Sequence, residues 1–161
     1  MSICRLMSHV NMSSSGGTKV RESNLRQTVV KLLHSLDAQA VENPVNPGTP
    51  DVEYIGGWIE LKYIEELPKR PDTPIRVPHF RPEQKVWIVK RTNKGGRVHV
   101  LLRVENTFFL LDGMFAVNKL GTLTYAQLAT SALAVWYRSI DGQELINVLT
   151  AGTMDNARSA T

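Results

Sequence analysis

The segment at residues 49–62, TPDVEYIGGWIELK, constrains the fold of this chain more than any other stretch. It opens near a proline, which lacks a backbone N–H and cannot continue a helix. A Gly-Gly pair at its centre is a turn signal, and β-favouring residues flank that pair on both sides. The segment therefore predicts a β-hairpin with strands at 52–55 and 58–64. The second strand carries the longer β-favouring run, so we expect it to be central in a sheet.

Side chains alternate between the two faces of a strand, and this alternation divides the second strand of the hairpin. Ile59 and Leu61 point to one face and suit a hydrophobic core. Trp58, Glu60 and Lys62 point to the other face. A carboxylate and an ammonium side by side are typical of a metal-dependent hydrolytic site. Because we expect that face to be exposed, the replacement Lys62→Ala should leave stability unchanged.

The remaining elements are predicted from apolar periodicity and from capping residues. Helices are predicted over 21–36, from Pro82 to the Gly95-Gly96 pair, and over 123–140, where Thr124 and Gln127 form a capping box. Further strands are predicted at 40–42, 97–104 and 108–111, the second of these half-buried. The order predicts an α/β domain at 19–150, with a central mixed sheet flanked by helices. Residues 1–18 are predicted to be a flexible leader, and residues 151–161 a frayed tail.

An acid stands at the start of the first predicted helix. Glu22 lies three residues before Leu25, the first residue of that helix's apolar stripe. It either complements the helix dipole or faces inward over the sheet. Arg26, one turn later, is predicted to be its partner within the helix.

Composition gives general limits on compartment and partners. Nineteen Lys and Arg against fifteen Asp and Glu give a formal charge of +4, which suits a nucleic-acid partner and equally a plain solvated surface. The basic, proline-rich stretch at 65–78 is interpreted either as a connector or as a phosphate-contact surface. With Cys4 as the single cysteine, no internal disulfide can form, and a cytoplasmic location is expected. No membrane span is predicted, because no window is long and apolar enough.

The ordered set of Glu22 on a first helix, Pro50-Asp51 opening a strand and Glu60-Leu61-Lys62 on the next strand resembles the PD-(D/E)XK nuclease superfamily. The resemblance covers roughly residues 20–112. The acid spacing is similar to phage and archaeal Holliday-junction resolvases. The helix opening Arg81-Pro82-Glu83-Gln84 is similar to virus-type replication-repair (VRR) nuclease domains. The resemblance implies a restriction-endonuclease-like fold, a branched or Holliday-junction DNA substrate, a homodimer and, for a small stand-alone domain, a phage source.

The resemblance also implies roles for particular residues in phosphodiester hydrolysis. Asp51, Glu60, Glu22 and a backbone carbonyl, that of Leu61 or Ile59, would hold Mg²⁺ or Mn²⁺. Lys62 would orient or deprotonate the attacking water, or stabilise the charge on the phosphate. Gln84 would position the lysine or a phosphate.

Several alternatives stay open at this point. Glu53, two residues beyond Asp51 on the same strand face, is a competing metal ligand. Trp58 is a core or dimer-interface aromatic, or it stacks on a base. A general DNA-degrading nuclease of the same fold, and a catalytically silent DNA-binding or assembly module, are the alternative functions.

Overall fold

The fold is built on a six-stranded mixed sheet whose strands lie in chain order. The structure is a computed structural model and describes residues 15–151, with the side chains of the first helix from Asn24 onward. The strands are β1 (Gln39–Ala40), β2 (Val52–Tyr54), β3 (Gly57–Ile64), β4 (Val98–Val104), β5 (Thr107–Asp112) and β6 (Ala134–Tyr137). The helices are α1 (Ser15–Leu32), α2 (Pro82–Asn93), α3 (Gly113–Lys119), α4 (Tyr125–Ser131) and α5 (Gly142–Thr150).

The position of β3 in this sheet confirms that the second hairpin strand is central. It pairs antiparallel with β2 and parallel with β4, and α2 makes the crossover between the two parallel strands. The other neighbouring strands pair antiparallel. A parallel pair needs such a crossover, because the chain must return to the same end of the sheet. The predicted α/β class, with a mixed sheet flanked by helices, is confirmed.

Two apolar layers cover the sheet, one on each face. Helices α1 and α5 pack on the first face, through Leu25, Val29, Leu145 and Leu149, and Leu33 in the turn after α1 joins them. Helices α2, α3 and α4 pack on the second, where their buried residues include Ile88, Ala116 and Leu128. Strand β4 is therefore buried on both faces, and the prediction of a half-buried strand is wrong. A strand with a neighbour on each side and helices above and below has no solvated face.

The hairpin turn lies one residue earlier than predicted. Tyr54 pairs with Gly57, so Ile55 and Gly56 form the two-residue turn, and Gly56 has the positive φ of 109° that glycine tolerates. Gly57 is instead required by close packing. A Cβ at Gly57 would lie 2.6 Å from the Tyr54 hydroxyl and 2.7 Å from the Arg97 carbonyl oxygen.

The predicted long helix over 123–140 is wrong. Thr124 and Gln127 do cap a helix, but α4 ends at Ser131, and the chain continues as β6 and α5. The Leu133 N–H donates to the Leu110 carbonyl, and β6 then pairs with β5. That pairing supplies hydrogen-bond partners along the β5 edge, which a longer helix would leave open. The short α3 was not predicted.

The chain ends match the predicted boundaries only in part. Helix α1 begins at Ser15, inside the predicted leader, and ends at Leu32, followed by a short 3₁₀ turn at His34–Leu36. The rest of the leader, with Cys4, and the tail beyond residue 151 lie outside the described residues. Among the helices of the described part, none combines the length and the apolarity needed to cross a bilayer.

Candidate active site

The site forms where β2 and β3 separate. Their pairing starts at Val52 and Ile59, so Asp51 lies one position before the ladder, opposite Glu60. The Asp51 carboxylate takes the place of the missing backbone partner, because its Oδ2 accepts a hydrogen bond from the Leu61 N–H at 2.9 Å. The strand edge thereby fixes this carboxylate beside Glu60.

Helix α1 supplies a cation to the same carboxylate. Arg26 Nη2 donates to Asp51 Oδ1 at 2.8 Å, and Arg26 Nη1 lies 3.7 Å from Glu42. Arg26, predicted as a partner within its own helix, thus reaches across to the sheet. Asp51 keeps 24% of its side chain exposed. The site is therefore open to solvent at Asp51.

Glu60 and Lys62 form a buried ion pair at the inner end of the site. Lys62 Nζ lies 2.5 Å from Glu60 Oε1, and Glu60 and Lys62 are 0% and 5% exposed. The expectation of an exposed Lys62 is wrong, because α2 and the segment before it cover this face of β3. The Phe80 ring, itself buried, lies 5.9 Å from Lys62 Nζ.

Gln84 completes the contacts of Glu60 from the first turn of α2. Its Nε2 donates to Glu60 Oε1 at 2.5 Å, and its Oε1 accepts from the Arg81 N–H at 2.9 Å. Pro82 starts the helix, as predicted. Gly48 in the proline-rich loop before Asp51 packs directly on this turn, where a Cβ would lie 2.5 Å from the Glu83 carbonyl oxygen. The loop and the helix together hold Gln84 against Glu60.

The environment of Glu60 favours its protonated form in the absence of a bound cation. Burial, as the main cause, and the negative charge of Asp51 together raise the pKa of Glu60 to about 7, against the opposing effect of Lys62. Glu60 Oε2 is buried and has no hydrogen-bond partner among the described residues. An unpartnered buried carboxylate oxygen next to a second carboxylate is a position that a cation would satisfy.

The donor set fits a hard divalent cation but is small. No three His, Cys, Asp or Glu side chains cluster within the part of the chain that the structure describes. Asp51 and Glu60 offer carboxylate oxygens, and the Leu61 carbonyl lies on the same strand edge as its N–H, facing Asp51. Such all-oxygen ligands are preferred by Mg²⁺ and Mn²⁺.

The structure brings together four of the five predicted site residues: Asp51, Glu60, Lys62 and Gln84. The fifth, Glu22, belongs to α1 one turn before Arg26, and its side chain lies outside the described residues. The competing acid Glu53 is exposed on β2 and pairs with Trp58, two ladder positions away from Asp51 and Glu60. The contacts of Arg26, Gly48 and Phe80 escaped sequence reasoning. Only Arg26 gave a signal, since it stands one turn after Glu22.

The chain matches no protein-family model and no curated protein. Its function is therefore inferred from the geometry of this site.

Proposed function

We propose that this chain is a metal-dependent DNA endonuclease of the PD-(D/E)XK type, on a restriction-endonuclease-like fold, and that it prefers branched or junction DNA. The observation that carries the proposal is the coordination of the two oxygens of Glu60. Oε1 binds Lys62 and Gln84, whereas Oε2 is buried, unpartnered within the described residues and close enough to Asp51 for their charges to interact.

The ligands for the metal would be Asp51, Glu60 Oε2 and the Leu61 carbonyl, with Glu22 as a further candidate. Mg²⁺ or Mn²⁺ bound there would polarise the scissile phosphate and lower the pKa of a bound water. Arg26 now neutralises Asp51 at 2.8 Å. A metal ion that binds Asp51 would have to displace Arg26 or share the Asp51 carboxylate with it.

Lys62 and Gln84 supply the remaining chemistry from this chain's own atoms. Lys62 is held by Glu60 with its ammonium at the inner end of the site. In that position it can orient the attacking water and offset the negative charge that develops on the phosphate. Gln84 keeps Glu60 in one orientation, because it is itself fixed by the Arg81 N–H. Two polar contacts on one oxygen leave the other oxygen for the metal.

DNA as the substrate is supported by the basic surface charge of the chain. The chain carries a formal charge of +4. Lys69, Arg70 and Arg76 are exposed on the irregular segment between β3 and α2, although Arg70 pairs with Asp72 at 2.9 Å. Exposed cations contribute sequence-independent affinity for the DNA backbone.

A homodimer is part of the same proposal, since paired subunits can cut two strands symmetrically. Strand β6 ends the sheet of the described residues, and its Val135 and Tyr137 side chains are exposed. An exposed apolar edge strand can pair with a second copy of the chain. Sedimentation of the purified protein would test this part independently of activity.

The activity is tested by incubating the purified protein with end-labelled four-way junction, flap, duplex and single-stranded DNA, in Mg²⁺ or in EDTA. We expect cleavage in Mg²⁺ alone, fastest on branched DNA, and loss of cleavage in Asp51→Asn and Lys62→Ala. Lys85→Ala is the matched control, because Lys85 packs over the same Phe80 ring, at 5.2 Å, without contacting Glu60. If no substrate is cut with any divalent metal, the proposed nuclease activity is refuted. If duplex and junction DNA are cut at the same rate, the preference for branched DNA is refuted and the protein is a general nuclease.

A further inference from the structure

Two tryptophans and an arginine form a stacked cluster beside the site, here called the Trp–Arg patch. It consists of Trp58 on β3 and of Trp87 and Arg91 on α2. The indole rings of Trp58 and Trp87 meet edge to face with centroids 5.5 Å apart. The Arg91 guanidinium lies 4.3 Å from the Trp58 centroid and 4.7 Å from the Trp87 centroid. Both tryptophans are partly exposed, and Arg91 is exposed.

The Arg91 side chain is held in this position by the backbone after α2. A Cβ at Gly96 would lie 2.6 Å from Arg91 Cγ and 2.8 Å from Cδ, so the arginine stem occupies the space that a larger residue would fill. The guanidinium lies against both rings, and Arg91 remains exposed to solvent. Its plane is thus preorganised for a further stacked group.

A cleft beside the patch is lined by Trp87, Lys90, Arg91, Asn93 and Lys94 and has a volume of about 580 Å³. Three of these five side chains are cationic. None of them forms a salt bridge with a carboxylate of the residues the structure describes. A cleft of this size suits a ligand of small-molecule dimensions. Its aromatic wall and unneutralised cations favour a flat group that carries negative charge.

The patch adjoins the proposed active site along β3 and α2, two of the elements that build that site. Trp58 precedes Glu60 by two residues on the same face of β3, a separation of about 7 Å. Trp87 follows Gln84 by one helical turn on α2, about 5 Å along the helix axis. A DNA strand whose phosphate lies at Glu60 would therefore place its neighbouring nucleotide at the patch.

We propose that the Trp–Arg patch binds an unpaired nucleotide of single-stranded DNA next to the scissile phosphate. The base stacks on the Arg91 plane or on Trp87, Asn93 offers an amide for the base edge, and Lys90 and Lys94 contact the adjoining phosphates. Paired bases in a duplex are already stacked, so their faces are not available to this surface. The assignment to the scissile strand rests on the proposed function, and it implies a substrate with a single-stranded segment beside the cut.

Binding is tested first without catalysis, in EDTA, by fluorescence anisotropy of a labelled oligothymidylate of about 12 nucleotides, within the site sizes known for single-strand binding modules. Arg91→Ala and Trp87→Leu should each weaken binding by about tenfold or more. Arg91→Lys, which keeps the charge but loses the plane, should weaken it by less. Arg91→Ala should also lower the salt slope of log K by about 0.7.

Arg138→Ala is the matched control, because Arg138 stacks on the exposed Tyr137 at 5.3 Å on the far strand β6. This variant removes one positive charge from a similar arginine–aromatic pair, and it should leave the binding of oligothymidylate unchanged. Unchanged binding in both Arg91→Ala and Trp87→Leu would overturn the proposal. An equal loss in Arg138→Ala would also overturn it, because general charge would then explain the affinity. Circular dichroism of each variant verifies that it is folded.

Cleavage assays then separate this inference from the proposed function. Arg91→Ala should slow the cutting of DNA with a single-stranded flank more than the cutting of fully paired DNA. If the wild-type protein cuts DNA and Arg91→Ala slows both substrates equally, the nuclease stands and the patch assignment fails. If nothing is cut but oligothymidylate binding depends on Arg91, the nuclease fails and the single-strand site stands without a scissile neighbour.

Discussion

Asp51 Oδ2 accepts a hydrogen bond from the Leu61 N–H at 2.9 Å, so the side chain just before β2 completes the hydrogen bonding of β3. The separation of β2 from β3 therefore also fixes the position of the Asp51 carboxylate. Where β2 departs from β3, the backbone N–H of Leu61 would lack a partner, and the first residue outside the ladder provides it. The second oxygen of the same carboxylate is left for Arg26 or for a metal.

The replacement Asp51→Asn tests the electrostatic half of this relationship. An asparagine oxygen can still accept from Leu61, but the negative charge that raises the pKa of Glu60 is lost. We expect the Glu60 pKa to fall below about 7, as followed by carboxyl-carbon NMR. Cleavage should drop by about 100-fold or more, as for other charge-stabilising groups in active sites.

Glu53→Gln is the matched control for Asp51→Asn, because Glu53 is an exposed acid on β2, two residues after Asp51. It should leave both the Glu60 titration and cleavage unchanged. If Glu53→Gln abolishes cleavage while Asp51→Asn does not, the metal ligand on β2 has been assigned to the wrong residue.

The raised pKa of Glu60 predicts that metal binding is coupled to proton release. With a pKa of about 7 instead of the ordinary 4.5, Glu60 is protonated in the metal-free protein at pH 6 and ionised at pH 8.5. A metal ligand must be deprotonated. Mg²⁺ binding at pH 6 should therefore release about one proton and be weaker than at pH 8.5, where it should release almost none. Calorimetry in buffers of different ionisation enthalpy measures this number.

The same shift has a defined sign for the stability of the metal-free protein. Between the unfolded value of 4.5 and the folded value of about 7, the folded state binds more protons at Glu60 than the unfolded state does. The contribution of Glu60 to folding therefore decreases as the pH rises through that window and is lost above it. Mg²⁺ should stabilise the fold most above pH 7. Metal affinity that does not change between pH 6 and 8.5 would contradict this role of Glu60.

The sequence predicted which residues come together at the site better than it predicted their burial. Asp51, Glu60 and Lys62 could be placed because a proline, a Gly-containing turn and strand alternation are local signals. Burial of Lys62 depends on Phe80 and α2, which are distant in sequence and whose packing no local pattern encodes. The same reasoning explains why the helix over 123–140 was wrong. Its apolar spacing fits a helix locally, but the open edge of β5 favours a strand at 134–137.

Arg26 and Gly48 show a second limit of sequence reasoning. The sequence spacing predicts a partner for Arg26 at Glu22, whereas its contact with Asp51 exists only once α1 lies across the sheet. Gly48 looks like one more loop glycine in a proline-rich stretch. Its role in packing follows from its short distance to Glu83, a residue that comes close to Gly48 only in the folded chain.

Lys62→Ala is expected to destabilise the protein as well as inactivate it. Removing one partner of a buried ion pair leaves the other uncompensated, which costs about 3 kcal/mol. The loss should be smaller at pH 6 than at pH 8.5, because Lys62 lowers the pKa of Glu60, and without it Glu60 is protonated more readily. Urea unfolding at the two pH values measures the difference. Lys85→Ala should change stability by less than about 0.5 kcal/mol at either pH, and an equal loss in both variants would contradict a special role for the Lys62–Glu60 pair.

Gly48→Ala tests whether the proline-rich loop positions Gln84. At φ +96° an alanine is strained, and its Cβ would lie 2.5 Å from the Glu83 carbonyl oxygen and 3.0 Å from the Gln84 nitrogen. The first turn of α2 must then move, which displaces Gln84 from Glu60. We expect a loss of stability of about 1–3 kcal/mol and reduced cleavage with little change in DNA binding. Gly95→Ala is the matched control, because Gly95 has a φ of +85° with no atom within 4 Å of its Cβ position. Gly95→Ala has the same backbone strain without the clash, so it should lose stability but still cleave DNA. Equal cleavage by the two alanine variants would show that Gly48 is needed only for its backbone conformation.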